Sequence, residues 1–277
     1  MDRLVSTEWL AARLEADDVV VIDASMHLPD SGRDAAAEFE RGHIPGARFL
    51  DLASFSDGAS VTPKALPTAR QFAERMRDLG VARGTRVVLY DDSAILSAAR
   101  AWFIFDHCGK RKVAILDGGL AKWRAEGRAL EHGMPSHAPR DYPDPELRRD
   151  VRSKQDMLMN VQARSAQVVD ARDAARFQGA EGSGSQGHIP GSLNVPFPSV
   201  LHDDGTYRSP EEIRSVFERA GVDLERPIVT SCNSGMTACV LAFALGLAGR
   251  DDVALYDGSW MEWGDDPDTP KEQGVGG

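Results

Sequence analysis

Cys232 lies in the stretch Val229-Thr-Ser-Cys-Asn-Ser-Gly-Met-Thr-Ala238. The β-branched run Ile228-Val-Thr230 before it predicts a strand, and the apolar run from Thr237 predicts a helix. The thiol therefore falls where strand gives way to helix, and in an open α/β sheet ligands bind at that carboxyl end. Gly235 accepts positive φ, so the residues Asn233 to Thr237 can curl and turn successive backbone N–H groups toward the sulfur. Such a nest, with the positive end of the following helix, favours thiolate over thiol and suits a nucleophilic sulfur. A free cysteine also serves as a small buried hydrophobe. That role fits Cys239, inside the apolar helix, and Cys108, at the end of a helix in the first half.

The elements that position this loop occur twice. Val21-Ile-Asp-Ala24 returns as Val169-Asp-Ala171, and Gly42-His-Ile-Pro-Gly-Ala47 returns as Gly187-His-Ile-Pro-Gly-Ser192. Asp117-Gly-Gly-Leu-Ala-Lys-Trp123 returns as Asp257-Gly-Ser-Trp-Met-Glu-Trp263. Order is kept while loop lengths drift, which implies two homologous domains. Residues 1–127 and 151–277 are the expected domains, joined by a connector over 128–150 that holds Pro135, Pro139, Pro143 and Pro145 among charged residues.

Within the first half, Val19 to Ile22, Arg86 to Tyr90 and Val113 to Leu116 read as buried strands; in the second, Gln167 to Val169, Pro227 to Ser231 and Val253 to Leu255. Helical periodicity runs over Thr68 to Leu79, Ala94 to His107, Pro210 to Ala220 and Thr237 to Ala248. The alternation predicts an α/β class: two tandem domains, each a mostly parallel sheet flanked by helices. Aligning Val88-Leu-Tyr-Asp91 with Val229-Thr-Ser-Cys232 puts Asp91 opposite Cys232. The first half thus lacks a nucleophile, and Asp91 suits the following helix N-terminus. His43 and His188 occupy identical turns although only one half has the cysteine, so the symmetry favours a structural role for both.

Composition narrows the partners. A chain of 277 residues with formal net charge −11 repels phosphate backbones, and no Lys/Arg cluster offsets this locally, so nucleic acid is not expected. The longest apolar stretch, Ala238 to Ala248, is too short to span a bilayer. Three cysteines form no Cys-x-x-Cys pair and have no His at ligand spacing, which disfavours a disulfide framework and a metal site. An odd cysteine count behind an N-terminus without a secretory pattern points to the reducing cytoplasm.

Together these motifs resemble the tandem-domain rhodanese-like sulfurtransferases, and within them the 3-mercaptopyruvate sulfurtransferases. The resemblance covers nearly the whole chain and is carried by Leu28-Pro with Gly32-Arg-Asp-Ala35, by Glu38-Phe-Glu-Arg41 and by both His-Ile-Pro-Gly turns. Asp170-Ala-Arg-Asp-Ala-Ala-Arg-Phe-Gln-Gly179, the cysteine loop and Tyr256-Asp-Gly-Ser-Trp-Met-Glu-Trp263 complete it. It implies a double displacement: Cys232 takes sulfur from a small-molecule donor, holds it as a persulfide and passes it to a thiol, such as reduced thioredoxin, or to another nucleophilic acceptor, with mercaptopyruvate leaving as pyruvate. No cofactor is implied. Donor binding would fall to Arg176, by its place in the Asp-Ala-Arg-x-x-x-Arg-Phe stretch, and to the loop residues Asn233, Ser234, Gly235, Met236 and Thr237. Thiosulfate enzymes of the family have Cys-Arg-Lys-Gly, whereas mercaptopyruvate enzymes have Cys-Gly-Ser/Thr-Gly. Cys232-Asn-Ser-Gly235 lacks both cations and keeps Ser234, which favours mercaptopyruvate, with thiosulfate as the alternative donor.

Departures from the family concern the donor. Ala180-Glu-Gly-Ser-Gly-Ser-Gln186 lacks the second arginine often found before the second His-Ile-Pro-Gly turn, and an Asp/His relay is replaced by Ala53 and Lys64. Lys64 and Arg33 are candidates for replacement charge. Arg172 reads as a fold-supporting residue, and Trp260 and Trp263 as core aromatics. Two rival functions remain to be weighed. A phosphatase with a Cys-x5-Arg loop needs arginine where Ala238 stands, leaving no cation for phosphoryl oxygens. A noncatalytic rhodanese-like sulfur-relay or binding module fits the first half but not the intact second loop.

Overall fold

The computed structural model describes residues 1–62, 64–148 and 150–276. It divides into two compact units, one of Met1–Asp57, Leu66–Arg148 and Asp203–Thr206, the other of Gly58–Ala65, Arg149–His202 and Tyr207–Gly277. The segment expected as a connector carries no regular helix or strand over 128–148 and clusters with the first unit. There Tyr142 packs edge-on against Phe72 at 5.7 Å, and Arg148 N donates to His107 O at 2.8 Å.

The first unit runs β1 (Leu4–Val5), α1 (Thr7–Ala11), β2 (Val19–Asp23), α2 (Ala35–Arg41), β3 (Arg48–Phe49), α3 (Ala69–Asp78), β4 (Arg86–Tyr90), α4 (Ser97–His107), β5 (Val113–Leu116) and α5 (Gly119–Ala125). The second runs β6 (Val151–Arg152), α6 (Lys154–Ala163), β7 (Gln167–Asp170), α7 (Ala174–Gln178), β8 (Leu193–Asn194), α8 (Pro210–Arg219), β9 (Ile228–Ser231), α9 (Ala238–Leu247), β10 (Ala254–Tyr256) and α10 (Ser259–Gly264). Each unit holds a five-stranded sheet, in order β1-β5-β4-β2-β3 and β6-β10-β9-β7-β8. All the strand pairs are parallel, with Val21 opposite Val88 in one sheet and Val169 opposite Thr230 in the other. Parallel strands are covered on both faces, which is why they read as continuous apolar runs rather than alternating ones.

Local chemistry sets the helix ends. Thr68, Ser153 and Ser209 each form a capping box, with Gln71, Asp156 and Glu212 reaching back to the cap amide. Helix α4 starts at Ser97, three residues later than the apolar periodicity suggests. Leu96 takes φ +51, a left-handed turn before the helix that periodicity cannot reveal. All eleven residues of α4 are buried, as is most of α9, consistent with sequences that are apolar almost all round. Val21, Val88, Phe39 and Trp123 sit in the core of the first unit; Val168, Val229, Tyr256 and Trp263 sit in that of the second. No helix among the described residues is long and apolar enough to cross a membrane.

The repeated His-Ile-Pro-Gly turns are built alike. His43 stacks on Phe39 at 3.9 Å and His188 on Phe177 at 3.8 Å, and both imidazoles are fully buried. Each Nδ1 donates to the carbonyl of its stacking phenylalanine at 2.8 Å. A carbonyl accepts only from a protonated nitrogen, so Nδ1 carries the hydrogen in both turns. Glu131 and Glu272 then close the turns, accepting Gly46 N at 2.6 Å and Gly191 N at 2.7 Å. These contacts are the same in the half without a cysteine loop, which makes both histidines turn-forming residues.

Candidate active site

Cys232 directly follows β9 and is 1% exposed. Its loop turns at Gly235, φ +72, and enters α9 at Ala238. Ser259 organises the turn. Its Oγ accepts the amides of Cys232 and Gly235, each at 3.1 Å, and donates to Tyr256 O at 2.8 Å. One of the amides expected to face the sulfur, that of Gly235, is therefore held by a hydroxyl instead. Ser259 reaches both amides from a left-handed backbone, φ +50. Next to it, Trp260 N donates to Cys232 O at 3.0 Å and Met261 N to Asn233 O at 2.8 Å, so the first turn of α10 is fastened to the cysteine loop.

Inside the loop, Cys239 Sγ donates to Gly235 O at 3.1 Å, a packing contact at the head of α9. The amides of Ser234, Met236 and Thr237 meet no acceptor among the described residues. They lie at the positive end of α9, an arrangement that holds anions. Ser234 and Met236 are buried, Thr237 is partly buried and Asn233 is exposed.

The two arginines of the Asp-Ala-Arg stretch differ in environment. Arg172 is 2% exposed, and its Nε and Nη2 grip Asp170, the shortest bond being 2.7 Å. It also donates to Gly187 O at 2.9 Å and Ser185 Oγ at 3.1 Å, and its guanidinium lies 4.5 Å from the Trp260 ring centre. Arg172 thus ties the end of β7 to the loop before the second His-Ile-Pro-Gly turn and to the residue that holds the Cys232 carbonyl. Arg176 is about half exposed on α7, and its Nε donates to Asp173, the N-cap of that helix, at 2.5 Å. It makes no hydrogen bond or ion pair with the cysteine loop. The structure therefore brings Cys232, Asn233, Ser234, Gly235, Met236 and Thr237 together and leaves Arg176 on a separate helix.

The first unit has the same frame with different contents. Leu120 N donates to Asp91 O at 3.0 Å, as Trp260 N does to Cys232 O. Gly119, φ +55, stands where Ser259 stands, and a Cβ there would lie 2.4 Å from Asp91 O. The Asp91 carboxyl group accepts Ser93 N at 3.2 Å and Ala98 N at 2.5 Å, binding the head of α4. Burial pushes this acid up to about 7, against the pull of those two amides.

Taken by itself, Ser259 has no motif that marks it as a loop-organising residue. Its signal was nevertheless present in the repeat: Asp117-Gly-Gly-Leu becomes Asp257-Gly-Ser-Trp in the half that has the cysteine.

The rhodanese-like domain model matches residues 6–126 and 153–266. The 3-mercaptopyruvate sulfurtransferase of Mus musculus is 42% identical over 273 residues, covering 94% of this chain and 91% of the relative. That of Escherichia coli K12 is 38% identical, covering 97% of both chains. The thiosulfate sulfurtransferase of Bos taurus is also 38% identical, covering 99% of this chain and 96% of its own. Among solved structures, Escherichia coli SseA, a 3-mercaptopyruvate sulfotransferase with the rhodanese fold, superposes with TM-score 0.86 at 37% identity, over 94% of this chain and 99% of that one. With both halves matched and similarity running the length of these enzymes, the chain belongs to the rhodanese-like domain family.

Proposed function

We propose that this chain is a sulfurtransferase that moves sulfur from 3-mercaptopyruvate to a thiol through a persulfide on Cys232. In the first half-reaction the Cys232 thiolate attacks the donor's sulfur. The carbon–sulfur bond breaks, its electron pair passes to the carbon as the enolate of pyruvate, and the donor's thiol proton ends on that carbon. Pyruvate leaves and Cys232 retains the persulfide anion. A thiol acceptor then attacks the outer sulfur, restoring the thiolate. Reduced thioredoxin is one acceptor of this chemistry, and a reducing compartment such as the cytoplasm keeps both thiols active.

One observation carries the reading: at Cys232 the amides of Ser234, Met236 and Thr237 meet no acceptor among the described residues, at the head of α9. They suit the charge of a terminal persulfide sulfur. Asn233, Ser234, Gly235, Met236 and Thr237 form the donor-facing loop, with Arg176 as the carboxylate partner once it exchanges Asp173 for the donor. Residues 151–277 form the catalytic domain in this reading, 1–127 its partner without a nucleophile, and 128–150 the connector.

Thiosulfate is the second reading, favoured by the equal 38% identity to the bovine thiosulfate enzyme and the Escherichia coli mercaptopyruvate enzyme. The uncharged side chains of Asn233 and Ser234 argue for the donor with less negative charge. Intact-protein mass spectrometry tests the mechanism: one added sulfur on Cys232 after incubation with donor, absent in Cys232→Ser, is expected. No gain with either donor overturns it and leaves a binding module. Steady-state rates on both donors with one acceptor then rank them, and a higher kcat/KM on thiosulfate overturns the mercaptopyruvate assignment.

A further inference from the structure

The turn that carries Ser259 is itself held by a carboxylate. Glu262 stands one helical turn beyond Gly258, and its amide donates to Gly258 O at 3.2 Å. Its side chain folds back over Gly258, so that a Cβ at that residue would overlap Glu262 Oε2. Gly258 has an ordinary helical backbone, φ −62, and close approach rather than conformation is what calls for glycine there. The same Oε2 accepts the Tyr256 hydroxyl at 2.8 Å, and Oε1 accepts Thr62 Oγ1 at 3.3 Å. Tyr256 is fully buried; burial first, then the Glu262 carboxylate, raises its phenol above the usual range and keeps it a donor. Tyr256 O in turn accepts the Ser259 hydroxyl at 2.8 Å. Glu262 therefore grips the two residues, Tyr256 and Gly258, from which Ser259 takes its orientation.

The first unit has the same turn without this carboxylate. Lys122 stands where Glu262 stands, Leu116 where Tyr256 stands and Gly119 where Ser259 stands. The Lys122 stem covers Gly118, but its ammonium turns to Glu126 at 3.4 Å, and leucine has no hydroxyl to offer. Tyr256, Ser259 and Glu262 thus occur together in the half that has the cysteine and are replaced together in the other. Backbone conformation gives the replacement a reason. Gly119 takes φ +55 freely, whereas Ser259 carries a Cβ and takes φ +50 only where its surroundings impose it.

We propose that Glu262 is a positioning residue for sulfur transfer: by gripping Tyr256 and Gly258 it imposes the left-handed turn at Ser259 that orders the cysteine loop. The proposal rests on the persulfide reading of Cys232. Glu262→Ala, Glu262→Gln and the double variant Glu262→Ala/Tyr256→Phe are compared with wild type in thermal unfolding and in single-turnover persulfide formation from mercaptopyruvate, read by mass. Glu262→Ala should slow persulfide formation about tenfold at saturating donor, with the half-saturating concentration little changed, since the loss falls on loop order rather than on donor contacts. Glutamine keeps the length and an acceptor oxygen, so Glu262→Gln should recover most of the rate. In Glu262→Ala the buried Tyr256 hydroxyl loses its acceptor and Tm falls; removing that hydroxyl as well should return Tm but not the rate. Wild-type rates in Glu262→Ala, a rate that recovers with Tm in the double variant, or Glu262→Gln as slow as Glu262→Ala each overturn the assignment. If wild-type Cys232 gains no sulfur from either donor, the persulfide reading fails instead. Alkylation of Cys232 by iodoacetamide across pH then still reads Glu262: a profile displaced to higher pH in Glu262→Ala and unmoved in Glu262→Gln supports the positioning role, and one profile for all variants overturns it.

Discussion

The hydroxyl of Ser259 lies 3.1 Å from the amide nitrogen of Cys232, and the same oxygen accepts Gly235 N at 3.1 Å. One side chain from the next strand–helix junction therefore fixes both ends of the bend that presents the sulfur. In the first unit Gly119 occupies this position and Asp91 caps its own helix, so loop order there comes from a carboxylate. The difference between the halves lies in which group supplies the acceptor: a hydroxyl from the neighbouring helix in the second unit, a resident carboxylate in the first.

Removing that hydroxyl should damage catalysis more than folding. Ser259→Ala leaves two buried amides without an acceptor, about 1–3 kcal/mol each if fully unmet, and keeps the left-handed strain. Ser259→Gly loses the same acceptor but relieves the strain. The expected outcome is that both variants form persulfide at least about tenfold more slowly in single-turnover mass spectrometry. Ser259→Gly should retain the higher Tm of the two. Wild-type rates in either variant would show that the loop is held without the hydroxyl.

Arg172 and Asp170 form a buried pair, 2% and 3% exposed, in which three nitrogen–oxygen contacts lie within 3.1 Å. Arg172→Met leaves the Asp170 charge without its partner and is expected to cost about 3–5 kcal/mol in urea unfolding. Adding Asp170→Asn should recover part of that loss, since the uncompensated charge is then gone. A double variant no more stable than Arg172→Met would place the cost in the bonds to Gly187 and Ser185 rather than in the charge.

The sequence disclosed the elements whose residues are buried on both faces. Arg86–Tyr90 and Val113–Leu116 are strands with the bounds their apolar runs imply, and α3 and α8 lie within the periodic runs from Thr68 and Pro210. Two-residue strands such as β1 and β8 carry too little pattern to be seen, and their pairing partners are distant in the chain. The turn at Gly235 was legible because only its own residue type matters there. The acceptor for the Gly235 amide was not, because Ser259 is brought to it by the packing of β10 against β9. Likewise, the family resemblance singles out Arg176, while its pairing with Asp173 depends on a rotamer that only the folded helix defines.

Asp91 makes the first unit sensitive to pH. Burial raises it from 3.8 to about 7, with Asp23 and Asp92 adding repulsion and the amides of Ala98 and Ser93 opposing. The folded state therefore keeps a proton that the unfolded chain releases over this window. The resulting stabilisation is full below about pH 3.8, declines as pH rises and is lost above about pH 7. Asp91→Asn removes the titration, so its stability relative to wild type should improve between about pH 5 and pH 8, by an amount on the order of 1–3 kcal/mol. Urea midpoints at the two pH values check this, and a constant difference between the proteins would mean that Asp91 is ionised throughout.

Donor choice should respond to charge at Asn233, the one exposed side chain of the loop's first turn. Thiosulfate is a dianion, whereas mercaptopyruvate carries a single carboxylate charge, so a cation beside Cys232 favours thiosulfate by the attraction of one additional negative charge. Near a protein surface that attraction is on the order of 1 kcal/mol after solvent screening, or roughly fivefold in rate ratio. Asn233→Arg is expected to raise kcat/KM for thiosulfate relative to mercaptopyruvate by about that factor, and the gain should shrink as ionic strength rises. Asn233→Gln provides the control for side-chain length and should leave the ratio near wild type. If arginine and glutamine shift the ratio equally, size rather than charge at position 233 distinguishes the donors. If neither shifts it, discrimination resides outside the loop, and Arg176 on α7 is the cation to substitute next.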